Sequence, residues 1–218
     1  MRKISYLLII LMFTAAGSAF AQKMQELRVG SVISGYLADE QEVLYYVTAI
    51  QNGLLTIYTE GSTDTYLDVY DEDDNYLGSD DDSGDDYNAV ININSMAGRT
   101  FLIVLSGYDA GPYRIGASMR EFPELAIGLS HKDEIEADQY FYFCVKPVRS
   151  GMLIVETSGY TDTVLAIYDG NFDFLDEDDD GAGFPNDRLM IQVTSGKTYY
   201  IEVSAYDSGP FGVIARIE

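Results

Sequence analysis

The chain is written twice. Sliding it against itself by 98 residues aligns residues 24–117 with 122–215 without a gap. GSTDTYLDVYD (61–71) pairs with GYTDTVLAIYD (159–169), MAGRTFLIV with TSGKTYYIE, and SGYDAGPY with SAYDSGPF. A fold for this sequence must therefore close on itself within one repeat and be built again from a diverged copy. The expected division is a leader over 1–21, one domain over 22–119 and a second over 120–218. The joint is SMREFPEL, which is short and not Gly/Ser-rich, so it predicts domains held close.

Within each repeat the hydrophobic period is two. Alternation runs through EVLYYVTAI, GLLTIYTE, TYLDVYD, AVININS and TFLIVLSG, with Gly, Asp, Asn and Ser between the runs. No stretch after the leader has a period of 3.6. The expected class is all-β, as two tandem antiparallel β-sandwich, jelly-roll-like domains of about eight strands each. The inward face is expected to carry Leu55, Ile57, Leu67 and Val69 in the first copy, and Leu153, Val155, Leu165 and Ile167 in the second. Neighbouring aromatics in EVLYYV, QYFYF and KTYYIEV must point to opposite faces, so some of the 18 Tyr lie outside the cores.

The leader reads as a secretory signal. Arg2 and Lys3 precede the apolar run SYLLIILMFTAA, and small residues stand at Ala19 and Ala21. Export to the periplasm or the exterior follows, with cleavage after Ala21. The apolar run is short for a membrane span. Cys144 is the one cysteine, so no internal disulfide is available; in YFYFCVKPV it is expected to be a buried, inert thiol. The formal charge of −23 repels nucleic acid and anionic membranes and suits cation binding.

The order of motifs carries a resemblance. The second copy opens a strand with DQYFYFCV, of type D-x-x-F-x-F-x-V, followed by a G-x-L-x-[IV] strand. Both copies then run through T-D-T-x-L-x-[VI]-Y-D, an acidic turn, a G-[RK]-T-[FY] strand and a G/A-Y-D turn. Each copy resembles the bacterial pre-peptidase C-terminal domain. That family comprises β-sandwich modules appended to secreted peptidases and is related to the collagen-binding domains of bacterial collagenases, which hold calcium. The resemblance implies export, a binding or processing role alongside an exported peptidase, and no catalysis of its own. The acidic lead-in of the collagenase-type calcium site is missing here: QKMQEL and SMREFPEL stand in its place. Glu134, Glu136 and Asp138 could supply oxygens near it in copy two, and Asp39, Glu40 and Glu42 in copy one.

The acidic run is the candidate site. Between Tyr70 and Asp86, nine of seventeen residues are Asp or Glu. Overlaying the copies separates recurring from expendable charge: Asp64, Asp71, Asp80, Asp81, Asp82, Asn88 and Asp109 match Asp162, Asp169, Asp178, Asp179, Asp180, Asn186 and Asp207. The spacing Asp71-x-Asp73-x-Asn75 to Asp82, and Asp169-x-Asn171-x-Asp173 to Asp180, is that of a hard-cation loop. The expected calcium ligands are Asp71, Asp73, Asp80 and Asp82 in copy one, and Asp169, Asn171, Asp178 and Asp180 in copy two. Position six is Tyr76 or Phe174 rather than Gly, and the flanks are strands, so this is no EF-hand. Plain hairpin turns are the competing reading, since Asp, Asn and Gly build turns unaided. Asp64 and Asp162, each in T-D-T before a strand, read as turn caps or as ligands.

Little suggests catalysis. His131, the single His, faces Ile33 in the overlay, and LSHKDE has no nucleophile elbow. DSG at 82–84 and 207–209 falls at non-equivalent places in the repeat. No His or Cys cluster suits catalytic zinc. The expected function is a non-catalytic binding or accessory module for an extracellular or periplasmic protein or polysaccharide, calcium-stabilised. The rival readings are a glycan-binding module using exposed Tyr, and an exported hydrolase with a carboxylate pair.

Overall fold

A computed structural model describes residues 24–137 and 139–218; the leader and Asp138 lie outside the described residues. All regular structure is strand, and among the described residues no helix is long and apolar enough to cross a membrane. The chain divides into two compact units, with the boundary between Arg120 and Glu121.

Unit 1 holds β1 (Gln25–Glu26), β2 (Val32–Leu37), β3 (Val43–Thr48), β4 (Gly53–Gly61), β5 (Thr65–Tyr70), β6 (Tyr76–Asp80), β7 (Val90–Ser95), β8 (Thr100–Gly107) and β9 (Gly111–Glu121). They form sheets of order β1-β3-β8-β5-β6 and β2-β9-β4-β7. Unit 2 repeats the plan with β10 (Ser130–Ile135), β11 (Tyr140–Val145), β12 (Gly151–Gly159), β13 (Thr163–Tyr168), β14 (Phe174–Asp178), β15 (Arg188–Val193), β16 (Tyr199–Ala205) and β17 (Gly209–Ile217), in sheets β11-β16-β13-β14 and β10-β17-β12-β15. The strands pair antiparallel, as β3 with β8 and β11 with β16, but one edge differs. There Gln25–Glu26 lies parallel to β3, and a parallel bridge from Glu124 to Cys144 does the same for β11.

Period two becomes two layers. Along β5 burial alternates strictly, Thr65, Leu67 and Val69 inward; β13 turns Thr163, Leu165 and Ile167 inward in the same way, with the small Ala166 between them also buried. All eight predicted core residues are fully buried, four in each of two separate apolar clusters. Adjacent aromatics split as the pleat demands: Tyr45 is inside, where its hydroxyl meets that of Tyr113 at 2.7 Å, and Tyr46 is outside. In unit 2 Phe143 and Phe211 occupy those core positions, while Tyr142 turns outward and stacks on Phe122 at 5.1 Å. Cys144 is buried, its Sγ 3.5 Å from the carbonyl of Phe122, and burial raises its thiol pKa.

Candidate functional site: the acidic loop end

The structure divides the expected ligands between two ends of a hairpin. Asp71 and Asp73 lie in the β5–β6 turn, whereas Asp80 closes the far end of β6 and Asp82 lies just past it. Five extended residues separate the two pairs by roughly 16 Å, so they do not converge on one ion. The same holds across β14 for Asp169 and Asn171 against Asp178 and Asp180. An eleven-residue spacing suits a cation loop only if the chain between folds back, and here it is a strand.

Each turn acid has a local task. Asp71 Oδ1 accepts the amides of Asp73 and Asn75, both at 2.9 Å, and the Asn75 side chain adds a bond to each carboxylate oxygen. These bonds, the Asn75 side chain first, lower the Asp71 pKa, with a smaller contribution from Arg99. Asp169 Oδ1 accepts the amides of Asn171 at 2.8 Å and Asp173 at 3.1 Å. Both are Asx turns, the alternative the residue types allowed. Asp80 and Asp178 tie off the next loop. Asp80 Oδ2 accepts the amides of Ser83 and Val90, and Asp178 Oδ2 those of Gly181 and Arg188.

The remaining acids gather at one end of each sandwich, where three turns meet. The T-D-T turn is fixed by its threonines. Thr63 donates to the carbonyl of Pro112 at 2.7 Å and Thr161 to that of Pro210 at 2.8 Å. Thr65 and Thr163 point inward, to the hydroxyls of Thr59 (2.6 Å) and Thr157 (2.9 Å). Gly111 and Gly209 are required by this packing, because a Cβ at either would overlap Thr63 Oγ1 or Thr161 Oγ1. With both threonines bonded inward, the carboxylate between them is left to the loop side.

The turn after β8 or β16 lies beside it: Tyr108 N donates to Asp64 O at 3.0 Å, Tyr206 N to Asp162 O at 2.9 Å, and Asp162 N to Asp207 Oδ1 at 3.0 Å. The acidic loop lies on the other side, with Thr65 N bonded to Tyr87 O and Thr163 N to Pro185 O. Burial first, and then Asp82, Asp109 and Asp81, raise the Asp64 pKa. For Asp162 the causes are burial, then Asp180, Asp179 and Asp207. In unit 2 one oxygen from each of Asp162, Asp179 and Asp180 lies within 4.8 Å of the others. Of the eight expected ligands that group contains only Asp180. Tyr206 reaches Asp179 at 3.4 Å, and Tyr108 reaches Asp81 at 3.5 Å.

Unit 2 adds two features. Asp187, fully buried, stands where unit 1 has Ala89. Its Oδ2 accepts from Thr157 at 2.9 Å and lies 2.6 Å from the Thr163 hydroxyl, and its Oδ1 accepts Asp180 N at 3.1 Å. Burial pushes its pKa up to about 6 against those bonds. The overlay did not single Asp187 out, because its counterpart is Ala. The second feature is aromatic: Tyr160, Phe184 and Tyr206 are 94%, 74% and 66% exposed, one on each of the three loops. Their positions beside Asp162, Pro185 and Asp207 were the available signal.

His131 lies on edge strand β10. Its ring is edge-on to Phe143 at 4.8 Å, with Nε2 3.5 Å from Asp133. A hydrolytic His needs a nucleophile at hydrogen-bond distance, whereas the polar partner here is a carboxylate.

No family model and no curated protein matches the chain. Among solved structures it is similar to the pre-peptidase C-terminal domain of collagenase from Bacillus anthracis, at 18% identity and a TM-score of 0.37, over 44% of this chain and 96% of that one. It is also similar to a protein from Eubacterium rectale described by inference as secreted, at 12% identity and a TM-score of 0.30, over 84% of this chain and 72% of that one.

Proposed function

We propose that the chain is an exported, non-catalytic accessory module of the pre-peptidase C-terminal type, which holds a protein partner through the loop end of unit 2. The motif order of each repeat and the leader at 1–21 support the type and the export. The observation that carries the binding role is the set of exposed rings, Tyr160, Phe184 and Tyr206, on three loops whose backbones are bonded to one another. Exposed aromatics held on a braced frame gain contact area at small entropic cost, and such residues dominate protein interfaces. The charge of −23 and the surrounding aspartates favour a partner with a basic surface, an exported peptidase or its protein target. A neutral polysaccharide would use the rings but gain nothing from the acids.

The test is binding of the full chain to immobilised basic proteins, exported peptidases among them, and to neutral polysaccharides. Salt-sensitive binding to a basic protein is expected, weakened about tenfold or more by combined Tyr160→Ser, Phe184→Ser and Tyr206→Ser. A triple variant that binds as well as the parent removes this surface. Binding to neutral polysaccharide alone replaces the protein partner with a glycan. Hydrolysis of any substrate in a chromogenic panel overturns the non-catalytic reading.

A further inference from the structure

We propose that the loop end of each unit is a calcium site centred on the aspartate of the T-D-T turn, Asp64 in unit 1 and Asp162 in unit 2, with Asp81, Asp82 and Asp109, or Asp179, Asp180 and Asp207, around it. This is a different set from the one the linear spacing suggests, and it goes beyond the partner-binding role.

Three observations carry it. First, the carboxylates crowd together without a counterion: in unit 2 one oxygen from each of Asp162, Asp179 and Asp180 lies within 4.8 Å of the others, and among the described residues no ion pair reaches any of the eight acids, while Arg28, Arg99, Arg114, Arg188 and Arg216 pair with other carboxylates. Second, buried acceptors at the same place lack donors. Asp64 Oδ1 and Asp162 Oδ1 are enclosed with no hydrogen-bond partner. So is Oδ1 of Asn88, a residue only 5% exposed. The Asn88 amide nitrogen donates to Gly61 O at 3.2 Å and Asp85 O at 2.5 Å, which wedges the side chain between the two loops that bear Asp64 and Asp81–Asp82. Asn186 Oδ1 is orphaned in the same way in unit 2. Buried oxygens without donors are costly, and their usual resolution is water or a cation. Third, the same four acids and the same orphaned oxygens recur at the loop end of both units, the closest group being that of unit 2, although the buried residue beside them differs, Ala89 in one and Asp187 in the other.

The donor set is all oxygen, several carboxylates and an amide on irregular loops. That chemistry suits a hard divalent ion, and the adaptable shell of six to eight oxygens favours calcium over the strictly octahedral magnesium.

The experiment is thermal melting of the full chain in chelator, in millimolar CaCl2, in MgCl2, and in NaCl of matched ionic strength. At a hundredfold excess over its dissociation constant, calcium raises the midpoint by about 10 °C or more for units of this size; magnesium raises it less. Combined Asp64→Asn and Asp162→Asn abolishes the calcium response. In chelator that variant melts no lower than the parent, because neutralising the central acid relieves crowding among like charges. Combined Asp71→Asn and Asp169→Asn, which touches only the Asx turns, keeps the calcium response. A second measurement needs no charge removed: Tb3+ on the parent chain gives tyrosine-sensitised emission that calcium displaces. Combined Tyr108→Phe and Tyr206→Phe loses most of that emission and keeps the calcium shift. Equal shifts by CaCl2 and matched NaCl overturn the site, and equal shifts by calcium and magnesium overturn the choice of ion. A calcium response that survives the Asp64/Asp162 pair, or vanishes with the Asp71/Asp169 pair, overturns the ligands. Terbium emission unchanged by the tyrosine pair overturns the location.

Discussion

Asp187→Asn should make the second unit more stable at neutral pH and leave it little changed in mild acid. Asp187 is fully buried, and its pKa stands at about 6 against an ordinary 3.8. The folded protein thus holds this proton more tightly than the unfolded chain. Below the unfolded value both states are protonated, and the group contributes its full stability. As pH rises toward and through 6 the unfolded chain ionises freely while the folded one resists, so stability is lost. The difference of about two pKa units corresponds to about 3 kcal/mol. Asparagine cannot ionise, keeps an oxygen for the Asp180 amide, and meets threonine hydroxyls that can turn to accept. Every other carboxylate is common to both proteins, so its titration cancels in the comparison. The assay is urea unfolding of parent and variant from pH 4 to pH 8, in chelator. The stability of the variant relative to the parent should climb by about 2.5 kcal/mol across that range, most steeply between pH 4 and 6, the rest of the effect lying below pH 4. A relative stability that changes by less than about half a kcal/mol would mean that Asp187 ionises at little cost, against the burial argument.

Three further outcomes follow from the packing. Leu165→Ala, at a fully buried site with a β-strand neighbour on each side, should cost about 2–5 kcal/mol in urea unfolding, and Leu67→Ala a similar amount in unit 1. Gly111→Ala should cost about 1–3 kcal/mol by driving a methyl into Thr63, with much of the loss recovered when Thr63→Ala is combined with it. Cys144 should resist iodoacetamide in the native chain at pH 8 and react once the chain is unfolded in urea, because its thiol is buried and its pKa raised.

The architecture was legible because its signal is local and was stated twice. Strand alternation needs only neighbouring residues, and Leu67–Val69 and Leu165–Ile167 repeat it in register, so all eight predicted core positions are fully buried. The functional end was partly legible. Its members Asp64, Asp81, Asp82 and Asp109 all recur in the overlay, but recurrence does not say which of them meet. Linear spacing suggested Asp71 with Asp82. The β5–β6 hairpin instead sends the two to opposite ends and brings Asp82 to Asp64 through pairings remote in sequence. Asp187 was invisible for the opposite reason. An overlay keeps what two copies share, and the position that distinguishes unit 2 is the one it discards.

That contrast bears on why the acids recur at all. The two units solve their interior problems differently. A hydroxyl pair between Tyr45 and Tyr113 is replaced by Phe143 and Phe211, and the Thr59–Thr65 pair is joined in unit 2 by a buried carboxylate. Interiors repack readily when volume is kept, so these exchanges need no functional cause. The four acids at the loop end obey a different rule. The central one is pushed toward its neutral form by burial and by its three neighbours in both units, so in isolation the arrangement opposes folding. Exchanging any of them for Asn or Ser would relieve the repulsion and keep the turn chemistry. Two units that have exchanged buried partners so freely, yet keep the same unfavourable set of charges, are what a cation held separately at that end of each unit would leave behind.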